Sequence, residues 1–215
     1  MNETLAHETL AAGAASDVVL RATGIDKAFF GVQVLDDVSF DVVQGEVHGL
    51  VGENGAGKST LMKVLAGVHQ ADAGSIEFAG QTVAFTHPLQ AMNAGLVTVF
   101  QEFNLLPERT VAQNVYLGRE PLKGGLIDKK TMIARTRAIL DDLGVDFIEP
   151  TERVGSLTVA EQQIVEIVKA LSFDARVISM DGPTAALSEH EVELLYALIR
   201  RLTARGVAVI YVSHR

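Results

Sequence analysis

The sequence contains no cysteine. That rules out a disulfide framework and any zinc site built on thiolates, and it leaves the redox compartment undetermined. No apolar run approaches the length of a membrane span. The first basic residue is Arg21, so the charged head of a secretory signal is absent, and the expectation is a cytosolic chain. Positive charge is in deficit throughout, with 18 Lys and Arg against 27 Asp and Glu, a formal net charge of −9. A protein that coats nucleic acid needs the opposite balance, because its affinity rests on neutralising phosphates. Internal repeats and low-complexity linkers are also missing.

What is present suffices for a sizeable core: 215 residues, 48% hydrophobic and 21% charged. This composition fits one globular domain, or one carrying an inserted lobe. Residues 1–16, rich in Ala, Glu and Thr without alternation, read as a loose leader ahead of a domain over 17–215. Strands are expected over 18–25, 39–43 and 46–51, the last two joined at Gln44-Gly45 as a small antiparallel hairpin. A helix should start near Lys58 and end by Gly67, followed by a hairpin over 74–84 turning at Ala79-Gly80. From about 103 to 171 the pattern turns helical, which suggests an inserted lobe; within it, 129–143 carries Ile133, Ala134, Ala138, Ile139 and Leu143 along one face. Short β-branched runs at 176–180 and 207–212 bracket a helix over 188–205 with a Leu194, Leu195, Leu198, Leu202 stripe. Strand, helix, strand implies a parallel α/β core.

Chemistry concentrates first at Gly52-Glu53-Asn54-Gly55-Ala56-Gly57-Lys58-Ser59. A glycine, four residues, then Gly-Lys-Ser between a strand and a helix is the pattern of a phosphate-binding loop. The glycines let consecutive N–H groups point at phosphate oxygens, and the helix N-terminus adds partial positive charge. Lys58 would reach the β and γ phosphates, and Ser59 would ligate magnesium. The run Val177-Ile178-Ser179-Met180-Asp181 is an apolar strand ending in a carboxylate, the form of a Walker B element in which Asp181 holds magnesium through its water shell. Thr158 and Glu161 have the spacing of a capping box, opening a helix that buries Ile164, Ile167, Val168 and Leu171.

In combination, these segments resemble the nucleotide-binding subunits of ABC transporters, most closely those of the bacterial simple-sugar importers of the ribose, xylose, galactose or arabinose class. The resemblance runs from about residue 18 to 215. It rests on the phosphate loop, Val99-Phe100-Gln101-Glu102 as the Q-loop, and Leu157-Thr158-Val159-Ala160-Glu161-Gln162-Gln163 as the signature. The Walker B strand, Ala186-Leu187-Ser188 as the D-loop and Ser213-His214-Arg215 as the H-loop complete it. It implies an α/β P-loop NTPase core with an antiparallel β subdomain and an inserted helical subdomain over about 103–171. It further implies ATP and Mg2+ as ligands. Lys58, Gln101 and His214 would serve catalysis, and Ser59, Gln101 and Asp181 the metal. Phe29, Gly52, Glu53, Asn54, Gly55, Ala56, Gly57, Lys58, Ser59 and Thr60 would hold the nucleotide, with Phe29 stacking on adenine and Phe30 the adjacent candidate. Thr158, Val159, Ala160 and Glu161 would face a nucleotide bound by a second ATP-binding module. Further implied partners are sugar permease membrane subunits and, indirectly, a periplasmic or extracellular sugar-binding protein, with the chain peripheral on the cytoplasmic face of the membrane. Action on ribosomes or DNA fits the acidic charge less well.

This sequence departs from the family pattern in two main ways. The family carries a glutamate after the Walker B aspartate, to activate the attacking water; here Gly182 stands there, so ATP should bind but turn over poorly. A catalytically degenerate binding or regulatory module is the alternative reading. Family modules also continue beyond the H-loop, so the domain is expected to be truncated at Arg215, leaving 207–212 a less protected strand. In the signature, Val159 and Ala160 occupy glycine places, a variant the sugar-importer group shares.

Overall fold

The computed structural model describes residues 18–53, 55–100, 104–182 and 188–213. The chain begins with two long strands, β1 (Val18–Phe29) and β2 (Val32–Val43), antiparallel and joined at Phe30-Gly31. The sequence pattern gives shorter strands here because register shifts break the alternation of β1 at several points. β3 (Val47–Val51) leads into the phosphate loop and α1 (Lys58–Leu65). β4 (Ala73–Phe78) and β5 (Gln81–Val83) form the expected hairpin, with Ala79 and Gly80 both at positive φ in the tight turn. α2 (Pro88–Ala94) and β6 (Leu96–Val99) follow.

The largely helical stretch comes next. It contains α3 (Val111–Val115), a two-residue hairpin of β7 (Leu122–Lys123) and β8 (Leu126–Ile127), α4 (Lys129–Asp142) and α5 (Val159–Leu171). The chain then forms β9 (Val177–Asp181), α6 (Glu189–Ala204) and β10 (Ala208–Ser213).

Two four-stranded sheets organise these elements: an antiparallel one ordered β2-β1-β4-β5 and a parallel one ordered β3-β10-β9-β6. This corrects two expectations. β2 and β3 do not pair with each other; the Gln44-Gly45 turn instead carries the chain from one sheet to the other, β2 bonding to β1 and β3 to β10. Nor is β10 a weakly protected strand, because it lies between β3 and β9 with ladder bonds on both sides.

The parallel strands are apolar because both faces are covered. Successive residues of β9 and β10 alternate between two cores. Ile178, Met180 and Val209 pack with α3, α4, α5 and α6. Val177, Ala208, Ile210 and Val212 pack with α1 and the antiparallel sheet. On α6 the buried stripe is Leu195, Leu198, Ile199 and Leu202.

α4 keeps the larger residues of the expected stripe inward, Leu143 buried and Ile133 and Ile139 packed against the helical core, but leaves its alanines out. Met132, Thr136 and Leu140 are buried, whereas Ala134 and Ala138 are exposed. Thr136 can be buried because its hydroxyl donates to the Met132 carbonyl one turn back (2.9 Å). The end of α4 is tied to α6: Arg201 donates to the Leu143 carbonyl and Arg205 pairs with Asp142. Arg119 staples α3 to the end of α5. Its guanidinium lies over the Phe173 ring, 3.3 Å from the centroid, and donates to the carbonyl and hydroxyl of Ser172. Burial lowers the Arg119 pKa from its ordinary value.

Leu140 is fully buried in the helical core, so Leu140→Ala should cost about 2–5 kcal/mol in urea unfolding. Asp128 caps α4, accepting from the Thr131 N–H and hydroxyl, and these bonds hold its carboxyl below the usual range. A depressed folded-state value means the cap stabilises above the unfolded pKa and is lost as pH falls through the folded one. Asp128→Ala should therefore lower stability at neutral pH, and the deficit should shrink below about pH 4 in unfolding curves taken across pH.

Candidate functional site

The register of the parallel sheet sets the geometry of the site. Val51 of β3 lies opposite Ser213 of β10, and Val212 lies opposite Asp181 of β9. The carboxyl ends of these three strands therefore share one edge, where open parallel sheets bind ligands. β6 ends at the same edge, Val99 opposite Met180.

From β3 the chain enters Gly52 to Gly57 and then α1. Gly57 caps the helix with φ 86. A Cβ there would come 2.7 Å from the Val34 carbonyl and 2.8 Å from a Leu35 methyl, so only glycine fits both the conformation and the space. Gly55 also has positive φ (88), and the Ala56 N–H bonds back to the Glu53 carbonyl (3.1 Å). Lys58 opens α1 and is buried, only 4% exposed. Its ammonium donates to the carbonyls of Gly52 (2.5 Å) and Glu53 (2.7 Å), so the positive charge sits inside the curl of the loop. Thr60 lies half-buried in the first turn.

Ser59 and Asp181, 122 positions apart, are brought together: the Ser59 hydroxyl donates to Asp181 Oδ2 (3.1 Å). Two side-chain oxygens so placed, one from a carboxylate, fit a hard cation such as magnesium. Two residues back along β9, the buried Ser179 hydroxyl bonds that of Thr98 (2.7 Å), linking β9 to β6 beneath the site. Gly182 follows Asp181 with φ 53, its N–H bonded to the Val212 carbonyl (3.2 Å).

Phe29 ends β1, half-buried, its ring meeting His69 edge-on with centroids 5.1 Å apart. Phe30, at φ 50, is fully exposed at the turn. The expected signature residues form a separate group at the start of α5. Thr158 accepts from the Glu161 N–H (3.3 Å), and the Glu161 carboxylate accepts from the Thr158 N–H (2.7 Å), so the capping box is present. Ala160 is buried, facing a small gap lined with Glu191 and Leu194 of α6, while Val159 is 42% exposed. Asn54, Gln101 and His214 lie outside the described residues. The surroundings of Phe29, namely Lys27, His69 and Asp72, carry no sequence signal and become visible only in the folded chain.

A phosphate loop at the carboxyl edge of a parallel sheet, with an aspartate from a neighbouring strand at its serine, defines an α/β nucleotide-binding protein of the P-loop class. The sequence pattern of one family within that class, described as ABC transporter, matches residues 35–185. This chain belongs to the ABC transporter family. It is 50% identical over 204 residues to the putative ribose/galactose/methyl galactoside import ATP-binding protein 1 of Agrobacterium fabrum, covering 95% of this chain and 40% of that protein. It is also 50% identical over 196 residues to the arabinose import ATP-binding protein AraG of Rhizobium etli, covering 91% of this chain and 39% of that one. The chain thus spans about 40% of the length of these relatives. The fold matches the ATP-binding cassette MJ1267 in its ADP conformation, with TM-score 0.81 and 28% identity over 93% of this chain and 82% of that one. The architecture is accordingly that of an ABC ATPase, with an antiparallel β subdomain and an inserted helical subdomain.

Gly57→Ala should cost about 1–3 kcal/mol in thermal unfolding, since it combines left-handed strain with a backbone clash at β2.

Proposed function

We propose that this chain is the ATP-binding motor of a sugar ABC importer, coupling Mg-ATP to movement of sugar permease subunits at the cytoplasmic face of the membrane. The observation that carries the reading is the pairing of a buried Lys58 in its loop with the Ser59–Asp181 contact. The names of the relatives support sugars as the cargo class. In this reading Lys58 and the loop N–H groups hold the β and γ phosphates, and Phe29 stacks on the base. Ser59 and Asp181, with Gln101, hold magnesium, which when bound would neutralise charge between the phosphates. His214 donates to the γ-phosphate. Thr158, Val159, Ala160 and Glu161 face the nucleotide of a second ATP-binding module, and a sugar-binding protein engages the assembly only through the permease. The DNA and ribosome alternatives have no support in the acidic charge.

Gly182 favours a second reading, a module that binds ATP and turns it over poorly. Glycine offers no proton acceptor beside Asp181, and loss of a general base typically slows reaction by about 10²- to 10⁴-fold. Its backbone adds a constraint: at φ 53 a glutamate side chain would be strained by roughly 1–2 kcal/mol unless the turn relaxes.

Mg-ATP binding and single-turnover hydrolysis of this chain, Lys58→Ala and Gly182→Glu test the proposal. Lys58→Ala should weaken ATP at least about tenfold, because bonds to a charged donor are lost. This chain should bind ATP with little hydrolysis, and Gly182→Glu should raise the rate without strengthening binding. Unchanged affinity in Lys58→Ala would overturn the nucleotide assignment, and fast hydrolysis by the unaltered chain would overturn the role given to Gly182.

A further inference from the structure

The carboxylate of Asp72 makes an arrangement around Phe29 that the phosphate chemistry does not use. β1 pairs with β4 as far as Asp26, opposite Ala73. Beyond that pair β4 offers β1 no further backbone partner, yet Phe29 lies three residues on. Asp72, one residue before β4, fills the gap with its side chain. Its Oδ2 accepts from the Ala28 N–H (2.7 Å), its Oδ1 accepts from Lys27 Nζ (2.7 Å), and its own N–H donates to the Asp26 carbonyl (2.8 Å). The ammonium so held stands 5.4 Å from the Phe29 centroid. His69, at the edge of the same ring, is anchored by its N–H to the Lys63 carbonyl at the end of the phosphate-loop helix α1. Residues 69–72 therefore reach Phe29 through the His69 ring and through the Lys27 held by Asp72, and they tie it to α1.

We propose that Asp72 is a positioning residue for the nucleobase: it fixes the end of β1 and the Lys27 ammonium so that the Phe29 ring is presented to the base at a set distance from the phosphate loop. The inference rests on the reading of Phe29 as the base platform. A carboxylate suits the task because it can satisfy a backbone donor and a cation together. Those same bonds, the one from Lys27 first, hold its carboxyl below the usual range, so it stays ionised at neutral pH. A stacking ring gains affinity when its plane is pre-ordered, so loosening the bracket should affect the base and spare the phosphates.

The test is calorimetric binding of Mg-ATP and of magnesium tripolyphosphate, which has no base, to this chain and to Phe29→Ala, Asp72→Ala, Asp72→Asn and the double variant Phe29→Ala/Asp72→Ala. Thermal unfolding is recorded for each. Asp72→Ala should weaken Mg-ATP about five- to tenfold, and tripolyphosphate affinity should stay within about twofold. Asp72→Asn, which keeps the acceptor for Ala28 and loses the ion pair, should fall between. The double variant should bind Mg-ATP no more weakly than Phe29→Ala alone. If Phe29→Ala weakens Mg-ATP selectively while both Asp72 variants match the unaltered chain, or weaken both ligands equally, the positioning role is wrong and the platform reading stands. If Phe29→Ala leaves Mg-ATP affinity unchanged, the platform reading fails and this inference falls with it.

Discussion

The site depends on the parallel register of β3, β10 and β9. Ladder bonds fix Val51 beside Ser213 and Val212 beside Asp181, and from that alignment the phosphate loop and the aspartate arrive at one edge. A slip of a single residue would turn the apolar side chains of β10 toward the wrong core and carry Asp181 away from Ser59. The strands resist such a slip because both cores read them. Every residue from Val177 to Met180 is almost wholly buried, so each has a designated side. Chemistry and packing are therefore set by the same ladder.

That alternation also explains how the chain supports two unlike layers. The antiparallel sheet and α1 take one set of side chains from the parallel strands, and the helical elements take the other. Contacts outside the sheet reinforce the division. Asp72 and His69 bind the antiparallel layer to the phosphate-loop helix, while Arg119, Arg201 and Arg205 fasten the helical elements to one another. Arg201 and Arg119 direct their terminal guanidinium N–H groups at backbone carbonyls, while the buried Arg119 Nε has no hydrogen-bond partner among the described residues.

Much of this was legible in the sequence where the signal is local. The phosphate loop, the apolar strand ending at Asp181, the hairpin at Ala79-Gly80 and the capping box of Thr158 and Glu161 each follow from residue types within a few positions. Pairing was not. The Gln44-Gly45 turn carries the same turn chemistry whether it closes a hairpin or passes the chain between sheets, and only long-range partners decide which. The buried face of α4 is only partly legible, because alanines are indifferent to exposure, while Thr136 hides its hydroxyl on its own helix. The bracket around Phe29 joins residues from separate elements, so neither periodicity nor spacing marks it.

On the proposed reading of this loop, the seat of the Lys58 ammonium makes anion capture an exchange rather than an addition. The amine is already buried and already has two oxygen partners in the carbonyls of Gly52 and Glu53. An incoming phosphate must compete with those oxygens, and the gain is the difference between the two sets of bonds. Much of the work of stripping water from the cation is thus done when the chain folds, not when the ligand arrives. The same exchange couples ligand to loop, since drawing the amine outward leaves two carbonyls to find other donors and gives the loop a reason to reshape around whatever it has caught.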